Sequence, residues 1–174
     1  MKKQSIIILI VVALVALLFS AGPVAGEAVK IEFSGEMCRA GMVDPGKTWT
    51  SPGGIKHIRD MQTSWNVFSE ALVDGNMRRV MNVNCHVPSR IGPFWGTFSL
   101  VLTDYPLSSW EGTYTGYRYE DGLMYSRWVG HGTGDLEGLK IKFYVTKPPG
   151  VNPGCPKWIP LTGYILSPHG EFPE

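Results

Sequence analysis

Arg127 and His131 stand four residues apart in Tyr125-Ser126-Arg127-Trp128-Val129-Gly130-His131. On an extended strand that spacing puts both on one face, together with Tyr125, because side chains alternate. Trp110 and Tyr114, on the strand before, have the same parity. If Asp121-Gly122 is a two-residue hairpin turn, Gly112 faces His131, Tyr114 faces Val129 and Gly116 faces Arg127. The glycines then leave room beside the two polar side chains. The expected site is a small pocket walled by Trp110, Tyr114 and Tyr125 and anchored by Arg127 and His131. A mostly apolar cavity with a few convergent polar groups is what small-molecule sites look like. A second reading stands beside it: a filled core in which Arg127 pairs with a carboxylate and His131 bonds a backbone carbonyl. Glu36, near the end of the first strand, is the candidate carboxylate. No residue is assigned a catalytic role.

The chain has three cysteines. Cys85 lies in the alternating stretch Met81-Asn82-Val83-Asn84-Cys85-His86-Val87 and reads as a small core residue. That leaves Cys38, after the first strand, to bridge Cys155 in a proline-rich loop. An odd count allows one such disulfide and one spare thiol. No spacing suits a structural metal, and no cofactor is implied. Gly130–Gly134 lacks the Lys-Ser/Thr ending of a phosphate-binding loop. There is no Gly-x-Ser-x-Gly and no His-Glu-x-x-His, so hydrolase readings have no motif. His57-x-Arg59, His86 and His169 read as surface residues.

These side chains must be positioned by one domain, since 174 residues do not comfortably make two. Residues 1–26 have the form of a secretory signal peptide: Lys2 and Lys3, an apolar run from Ile6 to Phe19, then small residues before Glu27. The run is short for a membrane span. The membrane would therefore be met only through this segment, were it retained. An exported protein, secreted, periplasmic or at the cell surface, is expected, and export makes a disulfide permissible. The net charge of +1, with 18% charged residues, argues against nucleic acid as a partner.

Over the whole chain, 44% apolar residues, 21 glycines and 13 prolines lean to short strands and many turns, and residues 27–174 are the expected domain. Strands are expected at Val29–Glu36, Arg78–Val87, Trp95–Thr103, Trp110–Tyr119, Leu123–His131, Leu136–Val145 and Leu161–Leu166. Residues 54–77 are ambiguous. A strand over 55–61 and a helical turn or loop near 65–72 is the favoured reading, from apolar spacings of three and four. Pro148, Pro149, Pro153, Pro156 and Pro160 make 147–160 a loop. The fold class expected is all-β: a single antiparallel barrel of about eight strands in meander order, the last closing on the first and removing both edges.

Gly130-His-Gly-Thr-Gly-Asp-Leu-Glu-Gly138 and the strand Leu139–Val145 resemble the glycine-spaced strand-turn-strand of the allene oxide cyclase-like and dirigent-like, calycin-type barrels. The resemblance spans roughly residues 90–166. It implies an eight-stranded barrel with an internal hydrophobic cavity, a trimer or dimer, and cofactor-free control of a reactive organic molecule. The family's acidic active-site residue has no clear counterpart, Glu36 being only a candidate. The leading expectation is therefore a binder of a small apolar or amphipathic molecule in the barrel interior. A cofactor-free cyclase or isomerase comes second. A carbohydrate or surface-interaction module, using Tyr117, Tyr119 and Trp128 outside, comes third.

Overall fold

A computed structural model describes residues 27–174 except 71, 152, 153, 156, 171 and 174. The expected signal peptide lies outside the described residues. Nine strands follow in order: β1 Val29–Asp44, β2 Lys47–Thr50, β3 Ile55–Ser69, β4 Gly75–His86, β5 Gly92–Leu102, β6 Ser109–Arg118, β7 Met124–Thr133, β8 Lys140–Lys147 and β9 Ile159–Ser167. A single 3₁₀ turn, Gly134–Leu136, precedes β8. Every pairing is antiparallel between chain neighbours, and β1 closes the tube. It pairs with β9 over 29–37 and with β3 over 35–44. Eight strands form the closed barrel, while β2 is an extra strand hydrogen-bonded to the start of β3. Closure leaves the barrel strands without a free edge along this path.

Alternation gives β5, β8 and β9 one inward row each. On β5, Phe94, Phe98, Leu100 and Leu102 are buried; on β8, Ile141, Phe143 and Val145; on β9, Ile159, Leu161 and Ile165. The middle of the tube is filled by rings. Tyr114 stacks on Trp128 at 4.0 Å between centroids, Trp128 on Phe143 at 5.2 Å, and Phe98 meets both Trp128 and Phe143 edge-on. Buried indole N–H groups use a hydroxyl two residues back on the same face: Trp65 donates to Thr63 Oγ1 and Trp128 to Ser126 Oγ. An eight-stranded barrel is just wide enough to be filled in this way.

The β6–β7 register differs from the sequence expectation by one residue on β7. Gly112 faces Gly130, Tyr114 faces Trp128, and Gly116 faces Ser126. The turn has three residues, not two. Tyr119 N–H donates to the Leu123 carbonyl, Gly122 N–H donates to the Tyr119 carbonyl, and Gly122 has φ 87°. A turn closed by a left-handed glycine fits Glu120-Asp121-Gly122 as well as a tight turn fits Asp121-Gly122. Because the side-chain period is two, the shift turns all of β7 over.

The helical turn expected near 65–72 is also corrected: β3 runs unbroken to Ser69. The apolar spacing of three between Ile58 and Met61 comes from a bulge at Arg59-Asp60, where Asp60 has φ 58°. Such a bulge resets strand parity. Phe68, which extended the helical pattern, lies outside against Trp158.

The two ends of the tube differ. One carries the turns at 72–74, 103–108 and 134–139 and is lined by the buried Val73, Leu102, Trp110, Leu136 and Leu139. Trp110 Nε1 donates to the Leu72 carbonyl at 2.6 Å. The other carries the turns at 87–91 and 119–123 and the proline-rich loop. The expected Cys38–Cys155 disulfide is present and ties that loop to β1 across 117 residues. Cys155 N–H donates to the Arg39 carbonyl beside it.

Candidate functional site

The residues expected to line a pocket do not come together. Trp110 and Tyr114 point inward and are almost wholly buried, but in the packed core. Tyr125 is 41% exposed on the outer face and stacks on Tyr144. Arg127 and His131 are exposed, as are Glu36 and Val129. The cause is the one-residue longer turn, which exchanges Tyr125, Arg127, Val129 and His131 for Ser126, Trp128, Gly130 and Gly132 on the inner face. His131 instead lines a separate space of about 410 Å³ with Glu111 and Arg78.

The inward glycines are not gaps for a ligand. A Cβ on Gly116 would meet the Phe94 ring, and one on Gly112 or Gly130 would crowd the Phe98 ring. Each glycine seats one of the protein's own aromatic side chains, as close packing of an interior requires. The recurring Trp95-Gly96-Thr97, Glu111-Gly112-Thr113 and His131-Gly132-Thr133 triplets therefore have a packing role, with each central glycine on the inner face.

Open space lies at the loop-tied end. A cavity of about 390 Å³ is walled by Ile58, Met61, Met81, Val83, Phe94 and Met124, with the free Cys85 thiol also on its wall. Arg39, Lys56, Arg90 and Arg118 line it, and among the described residues no carboxylate does. Alternation puts Arg118 inside: it shares a face with Tyr114 and Gly116 and opposes Gly92 and Met124. Its Nε is buried without a hydrogen-bond partner. Leaving such a donor unsatisfied costs on the order of 1–3 kcal/mol.

One inward step below Met81, Arg79 reaches into the core. Its guanidinium carbon lies 4.5 Å from the Trp65 ring centroid and 5.6 Å from that of Tyr114. Its Nε too has no partner. Burial lowers the pKa of Arg79, and the charge of Arg39 adds to that effect while Tyr114 opposes it. Lys147, paired with Met124 at the rim, is lowered first by burial and then by the charge of Arg118. Burial pushes the Tyr114 phenol up to about 12, and its hydroxyl donates to the Val80 carbonyl at 3.0 Å.

Among the described residues the one ion pair is Lys30–Glu32, on the far outer surface of β1. Among the described residues no acidic side chain pairs with a mouth cation. Glu120 and Asp121 sit on the turn at this end but are exposed, and Asp121 Oδ1 accepts from Leu123 N–H. The sequence carried a signal for this site. Met77, Arg79, Met81, Val83 and Cys85 alternate on one face, so an arginine interrupts an otherwise apolar inner row.

Outside the same end, His57 Nδ1 lies 2.9 Å from Asn84 Oδ1. Arg59 donates to the Ile58 and Val83 carbonyls and to Asn84 Oδ1, and its guanidinium sits between the Trp49 and Trp95 rings. That cation is satisfied by the protein, unlike those inside. Among the described residues no cluster of His, Cys, Asp and Glu could hold a metal ion.

Fold and mouth together define the class: a closed, eight-stranded antiparallel barrel filled by its own rings, with one cationic end cavity. Neither a scan against protein-family models nor a search of curated proteins finds a match to the chain.

Proposed function

We propose that the protein binds a small amphipathic molecule in the barrel mouth, not in the barrel centre. The observation that carries this reading is the cavity of about 390 Å³ whose methionine-rich wall adjoins four cationic side chains. Its volume falls at the small end of the roughly 300–1,000 Å³ typical of small-molecule sites. Methionine suits such a wall because its flexible thioether adapts to ligand shape.

A binder is favoured over a cyclase or isomerase, because among the described residues the lining holds neither a carboxylate nor a histidine to move a proton. Kinship with the allene oxide cyclase-like barrels is proposed on the closed eight-stranded meander alone. The outer tyrosines Tyr117, Tyr119 and Tyr125 favour a carbohydrate-binding surface as the second reading. Export is proposed from the signal-type terminus, and the disulfide suits an oxidising compartment.

Native mass spectrometry of protein purified from its source tests the reading. A retained small organic mass is expected in wild type and lost from Met81→Trp, which fills the mouth, at unchanged circular dichroism. An adduct that survives this substitution, or a glycan that binds both proteins equally, places the ligand elsewhere.

A further inference from the structure

We infer that the ligand of the mouth is an organic anion, a carboxylate on a short apolar body, whose head lies against Arg118 and Arg39. The inference rests on the proposed mouth site and adds the chemical class of its occupant.

Three observations converge. The cavity lining combines apolar side chains with four cations, Arg39, Lys56, Arg90 and Arg118, and among the described residues no acid. Arg39, Lys56 and Arg118 are half-buried and Arg90 is exposed, and a cation-rich lining without a counter-ion among the described residues attracts anions. Arg118 presents a buried Nε–H with no acceptor among the described residues. A carboxylate supplies both missing features, charge and acceptor lone pairs, and an arginine fork matches it in two parallel hydrogen bonds. At Lys147 and Arg79 burial depresses ionisation most, and repulsion from Arg118 and from Arg39, respectively, adds to it. An anion seated among them relieves that repulsion. The small volume fits a short chain or one ring, and Met61, Met81 and Met124 receive its apolar part.

Cys85 gives a reporter that needs no mutation. It is the chain's one cysteine outside the disulfide, and it lines the cavity. Alkylation of Cys85 in the folded, disulfide-intact protein by iodoacetate and by iodoacetamide compares an anion with a neutral reagent at one thiol. Relative to glutathione, the anionic reagent is expected to be favoured by about tenfold, with most of that preference lost in 1 M salt as charge is screened. Octanoate is expected to protect Cys85 at concentrations about tenfold below those needed for octanol. Arg118→Gln is expected to erase that difference while leaving protection by octanol intact. Arg39→Gln serves as the second variant should Arg118→Gln fail to fold.

Equal protection by octanoate and octanol, or a reagent ratio equal to that of glutathione, overturns the anionic class while leaving a mouth that binds apolar molecules. Failure of both compounds to protect overturns the mouth site and the inference together.

Discussion

At the closed end, Trp110 has 0% of its surface exposed, its indole N–H is bonded, and Leu136 and Val73 fill what remains. The turns there are latched as well: Ser108 Oγ donates to Asp135 Oδ2, Asp135 N–H donates back to Ser108 Oγ, and Thr103 donates to Asp74. At the open end, Arg118 Nε has no partner among the described residues, four cations line the mouth, and about 390 Å³ is left unfilled. The same barrel geometry serves both ends, so the fold does not impose the difference. Side-chain choice does. One end buries Trp110 with its indole N–H bonded, and the other breaks two rules of a stable core in one place. Local violations of otherwise consistent packing are where function is expected.

The comparison is broken most easily by truncation. Trp110→Ala at the closed end should cost about 3–5 kcal/mol, as for other fully buried tryptophans, because the ring and its hydrogen bond are both lost. Met124→Ala at the open end removes a half-buried side chain that already borders a void, and should cost about 1 kcal/mol. Urea unfolding of the two variants measures the contrast. Equal losses would mean that the open end is packed as tightly as the closed one.

Next in size is the bridge that ties the loop to the open end. Replacing Cys38 and Cys155 together by serine should cost about 2–5 kcal/mol, since the bridge closes a long segment of chain. Hydrogen exchange should rise first around 37–40 and 154–159, with the closed end unaffected until global unfolding. Protection lost first at Trp110 instead would reverse the assignment of the weaker end.

The smallest effect is a pH dependence in the middle of the tube. Burial holds the folded Tyr114 phenol at about 12 against an ordinary value near 10. The raised folded pKa contributes stability that is complete below pH 10 and lost as pH rises through 10 towards 12, because the unfolded chain releases this proton first. Tyr114→Phe should flatten the fall of the urea midpoint over that window. A fall of the same steepness in the variant would show that Tyr114 does not drive it.

Much of the architecture was legible from alternation. The inner rows Phe98, Leu100, Leu102 and Leu139, Ile141, Phe143, Val145 are those the pattern predicts, and the return of the last strand to the first follows from hiding both edges. The Cys38–Cys155 pairing was legible because Cys85 sits in the inner row of β4. The site was not. Reading Asp121-Gly122 as the whole turn rotates β7 by one residue, which brings Arg127 and His131 inside and Trp128 outside. Nothing local separates the two turns, since the glycine serves either. What separates them is Trp128, a ring that needs Tyr114 and Phe143 on either side of it.

The sequence by itself determined an all-β chain, its strand order and its disulfide, because period, turn residues and cysteine placement are local properties. Only the tertiary structure decided which face of β7 is inner, what the glycines make room for, and where the cavity lies. Those depend on rings, bulges and charges from strands far apart in the chain competing for the same few ångströms inside a closed tube.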